Sequence, residues 1–205
     1  TSVSRGLGDV YKRQIQNDSF NKDNVNKTII RNYIKYYLRL PIKSEYTIDD
    51  MADDGVSVLD HLNIENAHIL GISMGGMIAQ IMASSYPEKT KTFTLIASTA
   101  STPSPFNGPS KDVRRLFIER TKNVDAKIED RVKRTKKLFK LIGYQGIDLD
   151  TQEFSDNVKL SIERGGVDDT GFGRQLTAIL GSKNRIEKVR SCLLYTSDAA
   201  DDVAS

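Results

Sequence analysis

Ala67-His-Ile-Leu-Gly-Ile-Ser-Met-Gly-Gly-Met-Ile-Ala-Gln80 sets the architecture of this chain. Its first half, Ala67–Ser73, is a short apolar run of the kind that forms a buried parallel strand. Its second half opens a helix read over Met74–Tyr86, with Met77, Ile78, Ile81 and Met82 facing inward. Between the two lies Gly71-Ile72-Ser73-Met74-Gly75, a Gly-x-Ser-x-Gly at a strand-to-helix junction. An alcohol is a poor nucleophile and needs special geometry to act as one. A sharp turn here lifts the Ser73 hydroxyl clear of the sheet and aims backbone N–H groups at a developing oxyanion. Glycines at 71 and 75 are expected because a side chain at either position would meet neighbouring backbone.

Downstream, Pro87 disfavours helical geometry at Tyr86 and so ends the helix there. Thr92–Ala97 (TFTLIA) is a second β-type run. Strand, helix and strand in direct succession predict a right-handed crossover with parallel strands. Upstream, Thr47 followed three residues later by Asp50 predicts a capping box with an acidic first turn. Ile48, Met51, Gly55, Val58, Leu59 and Leu62 continue that helix. Thr28–Leu40 predicts a short helix with Ile30, Ile34, Tyr37 and Leu38 on one side, stopped near Pro41. Its mix of aromatic and basic residues comes without a recognised nucleic-acid motif, so it reads as an element covering a domain edge.

Past Ser98 the pattern changes. Residues 101–109 (STPSPFNGP) form a linker-like stretch, and everything after it has helical spacing. Val113, Leu116 and Phe117 mark one helix. Ile128, Val132, Leu138, Phe139 and Ile142 mark a longer one ending near Gly143. Phe154, Val158 and Ile162 mark a third, ended by Gly165-Gly166, and Phe172, Leu176, Ile179 and Leu180 a fourth. An all-helical block directly after the second strand reads as a cap or lid inserted into a sheet domain. The basic run Arg131–Lys140 reads as the solvated face of its helix.

The two ends read differently from the middle. Asp9–Gln14 (DVYKRQ) is what one frame of the DNA string agatgtgtataagagacag encodes, and Cys192–Ser197 (CLLYTS) is encoded by its reverse complement. One short DNA sequence and its complement bracketing a gene resemble a transposon end used in sequencing libraries. Residues 1–14 and 192–205 are therefore expected to be translated adapter, set aside from fold reasoning. Residues 15–100 are expected to be part of a sheet core, and 101–191 a helical cap. The chain carries +3 overall; its front end contributes +2 and its back end −3, which leaves +4 on residues 15–191. That charge is mild and spread out. The single cysteine, Cys192, falls in the trailing adapter, so disulfides, thiolate catalysis and zinc–thiolate sites are excluded from the remainder. No apolar run approaches the roughly 20 residues that span a bilayer. A cytoplasmic location is expected, with secretion left open because the native start is missing.

These residues resemble the α/β-hydrolase family, and most closely a capped subgroup that includes aclacinomycin-type methyl esterases. The match rests on Tyr46–Asp54, on Ala67–Gln80, on Tyr86-Pro-Glu88 and on Gly171–Leu180 with its Arg-Gln-Leu-x-Ala-Ile run. The resemblance implies an α/β class: a partial α/β-hydrolase fold followed by an all-helical cap. It implies that Ser73 is the nucleophile, attacking a small-molecule ester to form an acyl-enzyme that water hydrolyses. The Met74 N–H would be one oxyanion donor, with Gly71 and Gly75 shaping the elbow. The second donor usually follows a His-Gly pair on an early loop, which this chain lacks. No cofactor, metal, nucleic acid or membrane partner is implied.

The triad is incomplete. In this fold the chain order is Ser, then Asp or Glu, then His. The two histidines, His61 and His68, both precede Ser73 and read as structural. Asp168 and Asp169 lie within the helical block and are not assigned to the triad. The chain is thus expected to be the middle of a hydrolase and to be inactive alone, with helices left exposing apolar surface. Two other readings share the elbow: a cofactor-free perhydrolase and an acyltransferase. A third is a non-catalytic binding protein that uses the pocket only to hold a ligand.

Overall fold

The structure, a computed structural model, describes residues 25–102, 108–122, 126–165 and 169–192. The adapter segments at 1–14 and 193–205, part of the linker at 103–107, Gly166 and Asp168 lie outside these residues. In chain order the elements are α1 (Val25–Tyr37), α2 (Ile48–His61), β1 (Ala67–Ile72), α3 (Met74–Ser85), a 3-10 turn at Pro87–Lys89, and β2 (Thr90–Ile96). Then come α4 (Lys111–Lys122), α5 (Ile128–Ile142), α6 (Gln152–Gly165), α7 (Asp169–Leu180) and α8 (Ile186–Arg190). The described residues form two compact units: 41–102 with 177–192, and 25–40 with 108–176.

The first unit is built around one parallel strand pair. β1 and β2 run in the same direction, with Ile69 opposite Phe93, Gly71 opposite Leu95 and Ile72 opposite Ile96. The crossover between them is α3, as the spacing predicts. Both α2 and α3 contribute to a core of Ile48, Ala52, Val56, Met77, Ile81 and Met82, which Ala178 joins from the last turn of α7. Ile48, Ala52 and Val56 recur every four residues, the period that keeps one helix face inward. Val58 and Leu62, expected on this stripe, are turned to solvent. Ile78 is half-buried beside the fully inward Met77 and Ile81.

The capping box on α2 is complete. Thr47 Oγ1 accepts the Asp50 N–H at 3.1 Å, and Asp50 Oδ2 accepts the Thr47 N–H at 2.8 Å. Two helix-end donors are thereby satisfied, a device worth about 1 kcal/mol. Two further contacts tie α2 to the end of α3. The Tyr86 hydroxyl donates to Asp53 Oδ1 at 2.6 Å, and Lys89 pairs with Asp60. The bond to Asp53 holds the Tyr86 phenol above its ordinary pKa.

The strands are less buried than their apolar sequence predicts. Only Gly71 in β1 and Thr90 in β2 are buried, while Leu70 is 63% exposed, Ile72 58% and Ile96 45%. Parallel sheets normally carry helices on both faces. Here, among the described residues, one face packs on α3 and α2 and the other is bare. Apolar surface is left exposed on helices, at Ile30, Ile34, Val58, Phe139, Leu141, Ile142 and Leu160, and on the sheet as well, at Leu70, Ile72, Leu95 and Ile96.

In the second unit the predicted helices α4, α5 and α6 all form, packed through Val113, Leu116 and Val132. Edge-to-face ring pairs join Phe117 to Phe172 and Phe139 to Phe154, each at 5.6 Å between centroids. Two expectations need correction. On α1 the buried side is Ile29 and Asn32, whereas Ile30, Ile34, Tyr37 and Leu38 are about half exposed or more. The helix packs against α4, and that contact, not the periodicity of the segment, selects the face that is buried. On α5 the basic run is not all solvated. Lys136 and Lys140 pair with Asp150 at the surface, but Arg131 is buried.

Candidate active site

The elbow sits at the carboxyl ends of both strands, the edge where open α/β sheets bind ligands. Ser73 follows β1 directly with φ 53° and ψ −115°, and Ala97 follows β2 with φ 49°. A positive φ on a residue with a side chain costs on the order of 1–3 kcal/mol. The surroundings enforce it. The Ser73 N–H donates to Ile96 O at 2.9 Å, which pins the bend to β2, and Ser73 O accepts from Gly76 N–H at 3.0 Å. Serine at the start of a helix usually caps it through its hydroxyl. Ser73 occupies that position and makes no side-chain cap bond. Its side chain is solvent-exposed instead. Met74 and Gly75 begin α3, where N–H groups have no partner within the helix and the dipole favours negative charge. An anion developing beside Ser73 therefore meets backbone donors already in place.

The glycines divide the labour unequally. A Cβ on Gly71 would stand 2.3 Å from Gly75 O, so only glycine fits there. A Cβ on Gly75 would meet nothing within 4 Å, against the expectation that both flanking glycines are sterically required. The second close approach belongs to Gly76, where a Cβ would stand 2.5 Å from Ser98 Cβ. Gly76 escaped the sequence reading because the five-residue pattern ends one position before it. Gly71→Ala is expected to cost at least about 3 kcal/mol and Gly75→Ala less than about 1 kcal/mol in urea unfolding. Equal costs would show that the turn is not packed as described.

Neither histidine approaches the elbow along the chain's elements. His68 lies in β1, five residues before Ser73, about 17 Å away along an extended strand. Its Nδ1 shares a hydrogen bond with Thr92 Oγ1 at 2.8 Å across the strand pair. His61 is exposed in the last turn of α2. Asp169 is the first residue of α7.

A polar anchor behind the elbow had no sequence signal at all. Arg185 is 4% exposed; its Nε donates to Gln80 Oε1 at 3.0 Å, Nη1 to Lys183 O at 2.9 Å and Nη2 to Thr99 O at 3.0 Å. Burial lowers its pKa from the ordinary arginine value. This side chain fixes the loop after β2 onto α3, the helix that directly follows Ser73. Among the described residues no helix is long and apolar enough to cross a membrane.

Comparison with known proteins agrees with this geometry. The family model described as alpha/beta hydrolase fold matches residues 25–139. The chain is 43% identical over 54 residues to a homoserine O-acetyltransferase of Thermus thermophilus, covering 26% of this chain and 14% of that one. It is 25% identical over 142 residues to the rhodomycin D methylesterase DauP of a Streptomyces species, covering 60% of this chain and 47% of that one. A solved hydrolase of Pseudomonas aeruginosa superposes with a TM-score of 0.50 at 16% identity, over 72% of this chain and 51% of that one. The chain spans under half the length of these curated relatives. Its matched span, more than half of the sequence, includes the strand, the elbow and the crossover, and the protein belongs to the alpha/beta hydrolase fold family.

Proposed function

We propose that Ser73 is the nucleophile of a carboxylic-ester hydrolase, and that this chain is the central part of that enzyme. One observation carries the reading: an exposed serine, strained at φ 53°, whose hydroxyl performs none of the capping its position invites. In the reaction the Ser73 oxygen bonds to the ester carbonyl carbon while a histidine takes its proton. The Met74 N–H stabilises the oxyanion; loss of one such donor costs about 3 kcal/mol of barrier. The same histidine protonates the departing alcohol, the C–O bond breaks, and water then releases the acid from the acyl-enzyme. In this reading that histidine is neither His61, exposed in the last turn of α2, nor His68, hydrogen-bonded to Thr92 within the strand pair. Residues 15–100 would be core and 101–191 cap, with 1–14 and 192–205 as adapter. The similarity to a methylesterase supports a small-molecule ester as substrate.

A second reading is favoured by the similarity to an acetyltransferase. There the acyl group on Ser73 passes to an acceptor alcohol instead of water, and the elbow is unchanged.

Fluorophosphonate labelling of the intact enzyme tests the proposal. Peptide mapping is expected to place the adduct on Ser73; a folded enzyme that stays unlabelled would favour simple ligand binding. The 205-residue chain itself is expected to hydrolyse p-nitrophenyl acetate no faster than buffer. Appreciable turnover abolished by His61→Ala or His68→Ala would overturn the assignment of the base to another segment.

A further inference from the structure

The outer face of α1 is apolar and, among the described residues, uncovered. Ile30, Ile34, Tyr37 and Leu38 are spaced four, three and one apart, so they form one stripe along about 12 Å of helix. Ile34 is 56% exposed and Leu38 63%, while the opposite side of the helix buries Ile29 and Asn32. Single apolar residues at a surface are ordinary, but a contiguous stripe of them marks an interaction site. The stripe is bordered by positive charge on both sides. Lys27 and Arg31 are exposed along one edge of α1. Along the other edge a groove of about 750 Å³ separates α1 from α4, and Lys111, Arg115 and Lys122 of α4 stand exposed on its far wall. Residues 25–44 contain no Asp or Glu, and Asp112 is the one acid among the described residues lining the groove.

An apolar stripe between two cationic borders complements a layer of anionic headgroups over hydrocarbon. The isoleucine and leucine side chains enter the acyl boundary, and lysine and arginine stems lie along it with their charges at the phosphates. Tyr37 suits the junction, with an apolar ring and a hydroxyl that accepts from Arg114 Nη1 at 3.4 Å. A peptide helix needs a groove that encloses its apolar face. Here Leu38 and Leu40 continue the apolar surface outside the groove, which favours a broad fluid surface. We propose that α1 and the facing edge of α4 dock this protein on an anionic membrane, lying in the interface. The 13-residue helix is about 20 Å long, too short to span a bilayer. The docking face lies wholly within the helical unit and involves no residue of the elbow.

Co-sedimentation of the 205-residue chain with vesicles tests this, using phosphatidylcholine alone and phosphatidylcholine mixed with phosphatidylglycerol. Binding to the anionic vesicles is expected to be about ten-fold or more tighter, and to weaken steeply as salt is added. Lys27→Gln and Arg31→Gln are each expected to weaken it about five-fold, the share of one basic residue near such a surface. Ile34→Asp and Leu38→Asp should each weaken it about ten-fold or more. Leu70→Asp, on the bare face of the strand pair, should leave it unchanged. No binding, equal binding to the two kinds of vesicle, or binding lost with Leu70→Asp but kept with Ile34→Asp would overturn the proposal. So would a dimer in sedimentation velocity that Ile34→Asp dissociates, because the stripe would then belong to a second copy. The two vesicle types decide the matter on the unaltered chain even if a variant fails to fold.

Discussion

Replacing Ser73 with alanine in the intact enzyme is expected to lower p-nitrophenyl ester turnover by about 10⁴-fold or more, and to remove fluorophosphonate labelling altogether. The magnitude follows from covalent catalysis: without the oxygen no acyl-enzyme forms, and the oxyanion donors have no tetrahedral intermediate to stabilise. Stability gives an independent readout. Ser73 is held at φ 53° and ψ −115°, and its hydroxyl makes no cap bond. Alanine keeps the backbone strain, so Ser73→Ala should unfold at nearly the same urea concentration. Glycine relieves the strain, so Ser73→Gly should gain about 1 kcal/mol despite the looser unfolded chain. A serine retained for structure would give the opposite result, with both substitutions destabilising. Loss of stability in Ser73→Gly together with residual turnover in Ser73→Ala would remove Ser73 from the chemistry.

Much of the fold was legible because its signals are local. The capping box at Thr47 and Asp50, the stop at Pro87, the crossover helix and the parallel pairing all follow from spacing within a few residues or from chain-length rules. What escaped depended on partners distant in sequence. The buried face of α1 is chosen by α4, which no periodicity in Thr28–Leu40 can specify. Leu70 and Ile72 have the sequence of interior strand residues, yet their exposure depends on what covers the second sheet face. Arg131 belongs to a run of charges that looks uniformly solvated until α4 and α6 pack against it. At the elbow the pattern located Ser73 and Gly71, but steric need at Gly76 comes from Ser98, more than twenty residues on.

The anchor at Arg185 is the extreme case, with its Gln80 partner 105 residues away, and it carries the largest expected loss of stability. Arg185→Met should destabilise the chain by about 3–5 kcal/mol in urea unfolding. The substitution keeps an apolar stem but strands Gln80 Oε1, Lys183 O and Thr99 O, three acceptors that one guanidinium satisfies. A fully buried acceptor left unmade costs about 1–3 kcal/mol; Gln80 Oε1 is buried, while Lys183 O and Thr99 O are part-buried and cost less because water reaches them. Arg185→Lys should recover little, because one ammonium cannot reach three acceptors set for a planar fork. Gln80→Leu should cost about 2 kcal/mol, since it leaves Nε of a buried cation without its acceptor. Combining Gln80→Leu with Arg185→Met should cost clearly less than the two single losses added together, as both remove the same bond. Strict additivity would mean the two side chains do not act as one anchor. In the intact enzyme the same Arg185→Met change should also slow Ser73 labelling, because the Ser73 N–H is bonded to Ile96 O at the end of β2 and the loop that follows is held by the Arg185 side chain at Thr99 O.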